Sequence, residues 1–226
     1  MGLLKRLLGG QGEDGQQRGE QVGGQLDAMA QLDPKWSTEK VRRRVRDAFF
    51  AVERSWIERD PSIGDPFMAS DLRASQKLRI DGLVNQNRVH QLENPLIEDL
   101  DFVRFDEGTG PEGTGTGQPE VVVMLDVSLV ETILDAHSGA LVAGAPGVKQ
   151  RRRQFWSFAW QDGKWMLADV EQPDAGARHL NAPLVGGDFA ELSPEMILRE
   201  RYAREEIEVE EFEAEMAKLL GRERTY

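Results

Sequence analysis

The chain has 226 residues, a formal net charge of −12 and no cysteine. Without cysteine there are no disulfides, thiolate metal sites or cysteine nucleophile, and the acidic balance argues against general nucleic-acid binding, which needs clustered cations. The longest apolar runs, such as Val121–Leu125, fall far short of the roughly 18 residues of a membrane-spanning helix, so a soluble chain is expected.

Met1–Leu8 is a short amphipathic stretch stopped by Gly9 and Gly10. Eight residues are marginal as an isolated helix in water. A lipid surface would order them, with the leucines inserted and Lys5 and Arg6 at the headgroups; the alternative is a frayed terminus. The stretch is too short and too basic for a signal peptide, and Arg6 breaks the myristoylation pattern. Residues 1–36 are Gly- and Gln-rich with few apolar positions to offset their ordering entropy, so they are expected to be mobile.

Ser37 is a good N-cap, and Val41, Val45, Ala48, Phe49, Val52 and Trp56 fall on one helical face. Asp60-Pro61 ends that helix. A further helix opens at Ser70 with Leu72, Leu78 and Leu83 expected inward and Gly82 marking a close contact or kink. After His90 the period becomes two, with one strand through Leu96, Leu100 and Phe102 and a second over Val121–Val130. The Gly- and Thr-rich Asp106–Glu120 connection has no lysine and no helix behind it, and its acidic residues would repel phosphate, so it reads as a hairpin loop.

The basic run Lys149–Arg153 leads into a hairpin over Gln154–Val170. A two-residue primed turn at Asp162-Gly163 would set Trp160 opposite Trp165, Phe158 opposite Leu167 and Trp156 opposite Asp169. Trp156, Trp160 and Trp165, with Trp56, then form an aromatic face or core. Residues 173–191 read as a linker. Ser193-Pro194-Glu195 starts a helix and a second begins near Glu208, with Ile207, Phe212, Met216, Leu219 and Leu220 as its docking stripe and 221–226 as a tail.

The helix Val41–Trp56, Asp60, Gly82, Trp156-Ser157-Phe158 and Gly163-x-Trp165-x-Leu167 together resemble the Tim44-like domain, over about Thr38 to Gln172 (domain 37–172). That resemblance implies an α+β, cystatin-like cone fold, shared with nuclear transport factor two and ketosteroid isomerase, with helices packed on a curved four-stranded antiparallel sheet. Gln154 and Trp160 replace the family's usual Glu and Arg. Residues 192–220 resemble the short bacterial C-terminal domain called SHOCT in Tyr202–Ile207 and Glu211-Phe212, with Glu205 and Glu208 departing from its pattern. This implies a helical hairpin for docking or oligomerisation.

His90, His137 and His179 show no metal-ligand spacing, and no nucleophile elbow occurs, so no metal, cofactor or catalytic residue is expected. Asp169 or Asp126 lining the cone would be a carboxylate raised by desolvation, usable as an acid or base. Lys149, Arg151, Arg152 and Arg153 form either a solvated strand end or a patch for anionic lipid or an acidic partner, with Arg152 facing away from Arg151 and Arg153. The resemblance favours a non-enzymatic, bacterial-type cytoplasmic adaptor, peripheral to the membrane, that binds a protein partner or anionic lipid and self-associates through the hairpin. The alternative is a small-molecule-binding or isomerase-like enzyme.

Overall fold

The computed structural model describes residues 3–108, 117–182, 198–199, 201–202 and 207–219, with side chains from residue 15 onward. In chain order the elements are α1 (Leu3–Ala30), α2 (Thr38–Glu58), α3 (Ser70–Asn85), β1 (Arg88–Asp106), β2 (Glu120–Asp135), β3 (Leu141–Gly144), β4 (Gln150–Gln161), β5 (Lys164–Glu171), the single turns α4 (Pro173–Gly176) and α5 (Arg178–Asn181), and α6 (Val209–Leu219). The antiparallel sheet runs β1-β2-β4-β5, and short β3 pairs with β2 as a fifth strand. This is the expected α+β arrangement of helices on one face of an antiparallel sheet.

Helix α2 forms for the reasons its sequence suggests. Ser37 caps it by accepting from the Lys40 amide, and Arg59 closes it in the left-handed region at φ 56°. Asp60 then accepts from the Ser62 amide at 2.9 Å and starts the following 3-10 turn. The buried face of α2 includes Val41, Val45, Ala48, Phe49 and Val52. It packs against Val121, Val123, Leu125 and Val127 of β2 and Trp156 and Phe158 of β4 in one core. Each such side chain contributes about 1.5–3 kcal/mol by leaving water.

Helix α1 and the turn after it stand where a mobile segment is expected. Helix α1 buries Val22, Leu26 and Met29, spaced four and three apart, and Trp36 follows in a 3-10 turn at Pro34–Trp36. Glycine permits this packing rather than opposing it. A Cβ on Gly15 would lie 2.7 Å from the Met124 methyl, and one on Gly19 2.8 Å from Asp101 Oδ1. The glycines let α1 approach edge strand β1 closely, and Arg18 ties it there by donating to the Val103 carbonyl at 2.6 Å. Lys5 and Arg6 belong to α1, but their side chains lie outside the described residues.

Helix α3 is turned relative to expectation. Gln76 and Ile80 are buried with Leu72 and Leu83 half-buried, whereas Leu78 is 73% exposed. Positions 72, 76, 80 and 83 make the inward face, so a glutamine stands where an apolar residue would. The expected linker also changes: Pro173–Asn181 folds onto the outer face of the sheet, where Leu180 meets Val103, Val122, Met124 and Phe155. Gly176 sits so close to Phe155 that a Cβ would lie 2.0 Å from its ring. Residues 183–191, the expected helix start at Ser193 and Leu220 lie outside the described residues.

Candidate functional site

The concave face of the sheet has two unlike ends. At one end Trp36 packs on Phe105 (ring centroids 5.7 Å) and Trp165 (5.4 Å), and Trp160 closes over Trp165 at 5.2 Å. Trp165 Nε1 donates to the Lys35 carbonyl at 2.9 Å, so this end is filled and its polar atom satisfied. At the other end α2 and α3 part from the sheet and leave a cavity of about 580 Å³. Its walls come from α2 (Val52, Glu53, Trp56), α3 (Gln76, Arg79), β1 (His90, Leu92), β2 (Leu129, Glu131, Ile133) and β4 (Arg152, Gln154, Trp156).

Strand alternation explains this lining. On β2, Val121, Val123, Leu125 and Val127 face the helices, and the same alternation carries Leu129, Glu131 and Ile133 to the cavity. Glu131 is the hub. Its Oε1 lies 2.6 Å from His90 Nε2 and its Oε2 accepts from Arg152, which also donates to Gln150 at 2.7 Å. Burial opposes ionisation of Glu131, but the bonds from Arg152 and His90 outweigh it and hold the carboxyl below its usual range.

Glu53 behaves in the opposite way. Burial, reinforced by the negative charge of Glu131 and only partly offset by Arg152, pushes its carboxyl up to about 7. Trp56 stands edge-on to the His90 ring at 5.6 Å, and Trp156 Nε1 donates to Gln154 at 3.0 Å. Gln76 is 8% exposed, and its Oε1, like His90 Nδ1, is buried with no hydrogen-bond partner. An unsatisfied buried polar atom costs about 1–3 kcal/mol, and these two, one on α3 and one on β1, both belong to residues that line the cavity.

The two carboxylates expected in the cone lie elsewhere. A register shift between Ser157 and Phe158 pairs Trp156 with Val170 and Ser157 with Asp169, although Trp160↔Trp165 and Phe158↔Leu167 stand as expected. The bulge carries Val170 to the cavity and leaves Asp169 exposed, where it accepts from the Val170 amide at 2.8 Å. Asp126 alternates with the inward residues of β2, and it forms a two-pronged pair with Arg153 at 2.8 and 2.7 Å. Neither lines the cavity.

The basic run is divided and largely paired. Arg152 enters the cavity, Arg153 meets Asp126, Lys149 donates to Glu98 at 2.8 Å, and Arg151 is exposed. Of the tryptophans, Trp165 is core, Trp156 is buried between core and cavity, Trp56 is cavity wall and Trp160 is half-buried. The three histidines stand apart: His90 on Glu131, His179 on Glu171 at 2.9 Å, and His137 exposed. In the C-terminal segment Ile207 is buried, Tyr202 stacks on Phe212 at 4.7 Å, and Met216 and Leu219 are half-buried.

Sequence reasoning missed Glu53, Gln76, His90 and Glu131 as a group. One signal was present: Glu53 and Gln76 occupy positions beside or within the inward stripes of their helices. The meeting of His90 with Glu131 depends on β1–β2 register, which composition does not encode.

Among solved structures, the intermembrane-space region of chloroplast protein ARC6 is similar at 9% identity and TM-score 0.42, covering 60% of this chain and 95% of that one. A putative polyketide cyclase from Xanthomonas campestris pv. campestris is similar at 14% identity and TM-score 0.29, covering 62% and 98% respectively. No curated protein matches the sequence. The Tim44-like domain matches residues 22–172, a span that takes in the last third of α1, the whole sheet and the cavity, and on that match the chain belongs to the Tim44-like family.

Proposed function

We propose that this chain is a non-enzymatic adaptor that attaches peripherally to an anionic membrane surface and holds a protein partner there. The observation that carries this reading is a set of exposed apolar side chains on β1, β3 and the segment before β4. Leu96, Leu141, Val142 and Val148 are each 46–54% exposed, and Lys149 and Arg151 follow Val148 in the chain. Exposed apolar side chains beside cations suit shallow insertion at a headgroup boundary. Membership of the Tim44-like family supports the same reading, and among the described residues no helix is long and apolar enough to cross a membrane. The pairing of Lys149, Arg152 and Arg153 with acids shifts the weight from charge to apolar contact, with Arg151 as the exposed cation. In this reading the SHOCT-like hairpin serves as a second docking or self-association element, which the Tyr202–Phe212 stack supports, and the protein works at the cytoplasmic face of a bacterial membrane.

Co-sedimentation with anionic and neutral vesicles at low and high salt tests this. Binding to anionic vesicles should fall by about an order of magnitude in a Leu141→Glu, Val142→Glu, Val148→Glu variant, and less in Arg151→Ala. Equal sedimentation of the triple variant would contradict the reading. A second reading, isomerase-like chemistry, is favoured by one observation: Glu53, not Asp169 or Asp126, is the carboxyl near neutrality in the cavity. It predicts Glu53-dependent deuterium wash-in from heavy water at the carbon beside a bound cyclic ketone's carbonyl. Equal wash-in with Glu53→Gln would end it.

A further inference from the structure

Helices α2 and α3 and strand β1 each bring to the cavity a polar atom with no hydrogen-bond partner among the described residues. The Glu53 carboxyl is held by no hydrogen bond, and Gln76 Oε1 and His90 Nδ1 have no partner. The histidine's other nitrogen is committed. Glu131, kept ionised by its neighbours, can only accept, so Nε2–H donates to it, and in the neutral tautomer that this bond selects Nδ1 is the acceptor. The cavity's half-exposed cation already faces an acid, since one terminal nitrogen of Arg152 donates to both Glu131 and Gln150. Leu92, Leu129 and Ile133 with the faces of Trp56 and Trp156 supply apolar surface, and about 580 Å³ is within the range of small-ligand sites.

We propose that this cavity is a binding site for a small amphipathic ammonium, with its N–H donors taken by Glu53, Gln76 and His90 and its alkyl body laid along Leu92, Leu129 and the tryptophans. A primary ammonium brings three donors to three acceptors. A carboxylate or phosphate would instead bring further acceptors and negative charge beside Glu53 and Glu131, with Arg152 already engaged. An alcohol brings one donor. The charged or titratable groups that share the cavity with Glu53 are His90 on β1, Glu131 on β2 and Arg152 on β4, while Arg79 on α3 lines the exposed rim, where water screens it. Trp56 adds a ring face able to receive a cation. Because Glu53 titrates near neutrality, an ammonium gains its full counter-charge only on the alkaline side of that range. This site stands whether or not the exposed apolar side chains of β1 and β3 meet a membrane.

The test is calorimetric titration of the full chain with octylammonium, octanol and octanoate at about pH 6 and pH 8, with tryptophan fluorescence as a second signal. Octylammonium is expected to bind saturably, about tenfold more tightly than either control, and to tighten several-fold from pH 6 to pH 8. Glu53→Gln should weaken it by about tenfold and abolish the pH dependence, and Gln76→Leu should weaken it by about fivefold with the pH dependence kept. Leu129→Trp should fill the cavity and abolish binding, while exposed His137→Ala leaves it unchanged. Melting curves establish that each variant is folded. Octanoate binding as tightly as octylammonium, no saturable binding by the wild-type chain, or an unchanged pH profile in folded Glu53→Gln would each overturn the proposal.

Discussion

The two ends of the concave face use the same sheet for opposite purposes. At the closed end every large ring has a partner: Trp36 sits between Phe105 and Trp165, and the Trp165 indole nitrogen reaches the Lys35 carbonyl. At the open end Trp56 and Trp156 border empty space, two buried polar atoms lack partners, and Glu53 is held away from its ordinary ionisation. Both amide atoms of Gln25 on α1 are also buried without partners, but at the open end the unpartnered atoms border a cavity. Sites that bind commonly carry such local costs, because unspent hydrogen-bonding capacity is what a ligand completes.

The sharpest way to break this comparison is to delete one tryptophan at each end. Trp36→Ala removes a side chain that is 2% exposed from a filled core and should cost about 3–5 kcal/mol in urea unfolding. Trp56→Ala removes a half-buried ring from a wall already open to solvent and should cost about 1–2 kcal/mol. Equal costs would show that the open end is core after all.

A second variant sharpens the account of the closed end. Gly19→Val forces a branched side chain against Asp101, whose Oδ1 lies 2.8 Å from the position of a Cβ, and should destabilise by about 1–3 kcal/mol. Hydrogen exchange should report faster opening of α1 beside β1. No change in stability or exchange would mean that α1 does not pack there.

Glu53 gives a smaller and pH-dependent effect. Its folded value of about 7 lies above the ordinary 4.5, so the folded chain binds the extra proton between those values. Relative to a neutral side chain, stability is unimpaired below about 4.5, falls as pH rises toward 7 and carries the whole cost above it. The shift from 4.5 to about 7 corresponds to about 3 kcal/mol before screening; because Glu53 is half-buried, about 1–2 kcal/mol is expected. Glu53→Gln should therefore be more stable than wild type by that amount at pH 8 and equal to it at pH 4, as read from melts across pH. The smallest effect belongs to Arg151→Ala, an exposed cation whose loss should change stability by less than about 0.5 kcal/mol.

Much of the closed end was legible in the sequence, and little of the open end was. The stripe Val41–Val52, the primed turn at Asp162-Gly163 with φ 49° and 74°, and the Trp160–Trp165 pair follow from periodicity and turn chemistry alone. The bulge beyond Ser157 was not legible, and one inserted residue moved Asp169 from cavity to solvent. Helix α1 forms despite a glycine content that favours disorder, because Gly15 and Gly19 act as clearance for neighbouring side chains, which is visible only when β1 and β2 are in place. Gln76 was passed over because Leu78 is the more apolar residue, yet burial in α3 follows the face that the sheet covers. The cavity constellation draws on α2, α3, β1, β2 and β4, so no single stretch of sequence displays it.

The central claim is that the open end binds and the closed end does not. The most direct measurement is a titration of the full chain with octylammonium followed by the indole N–H resonances of its 5 tryptophans, assigned by substitution. The account predicts saturable shifts at Trp56 and Trp156, with Trp36 and Trp165 unmoved. Shifts centred on Trp36 and Trp165, or no saturable shift at any indole, would contradict it.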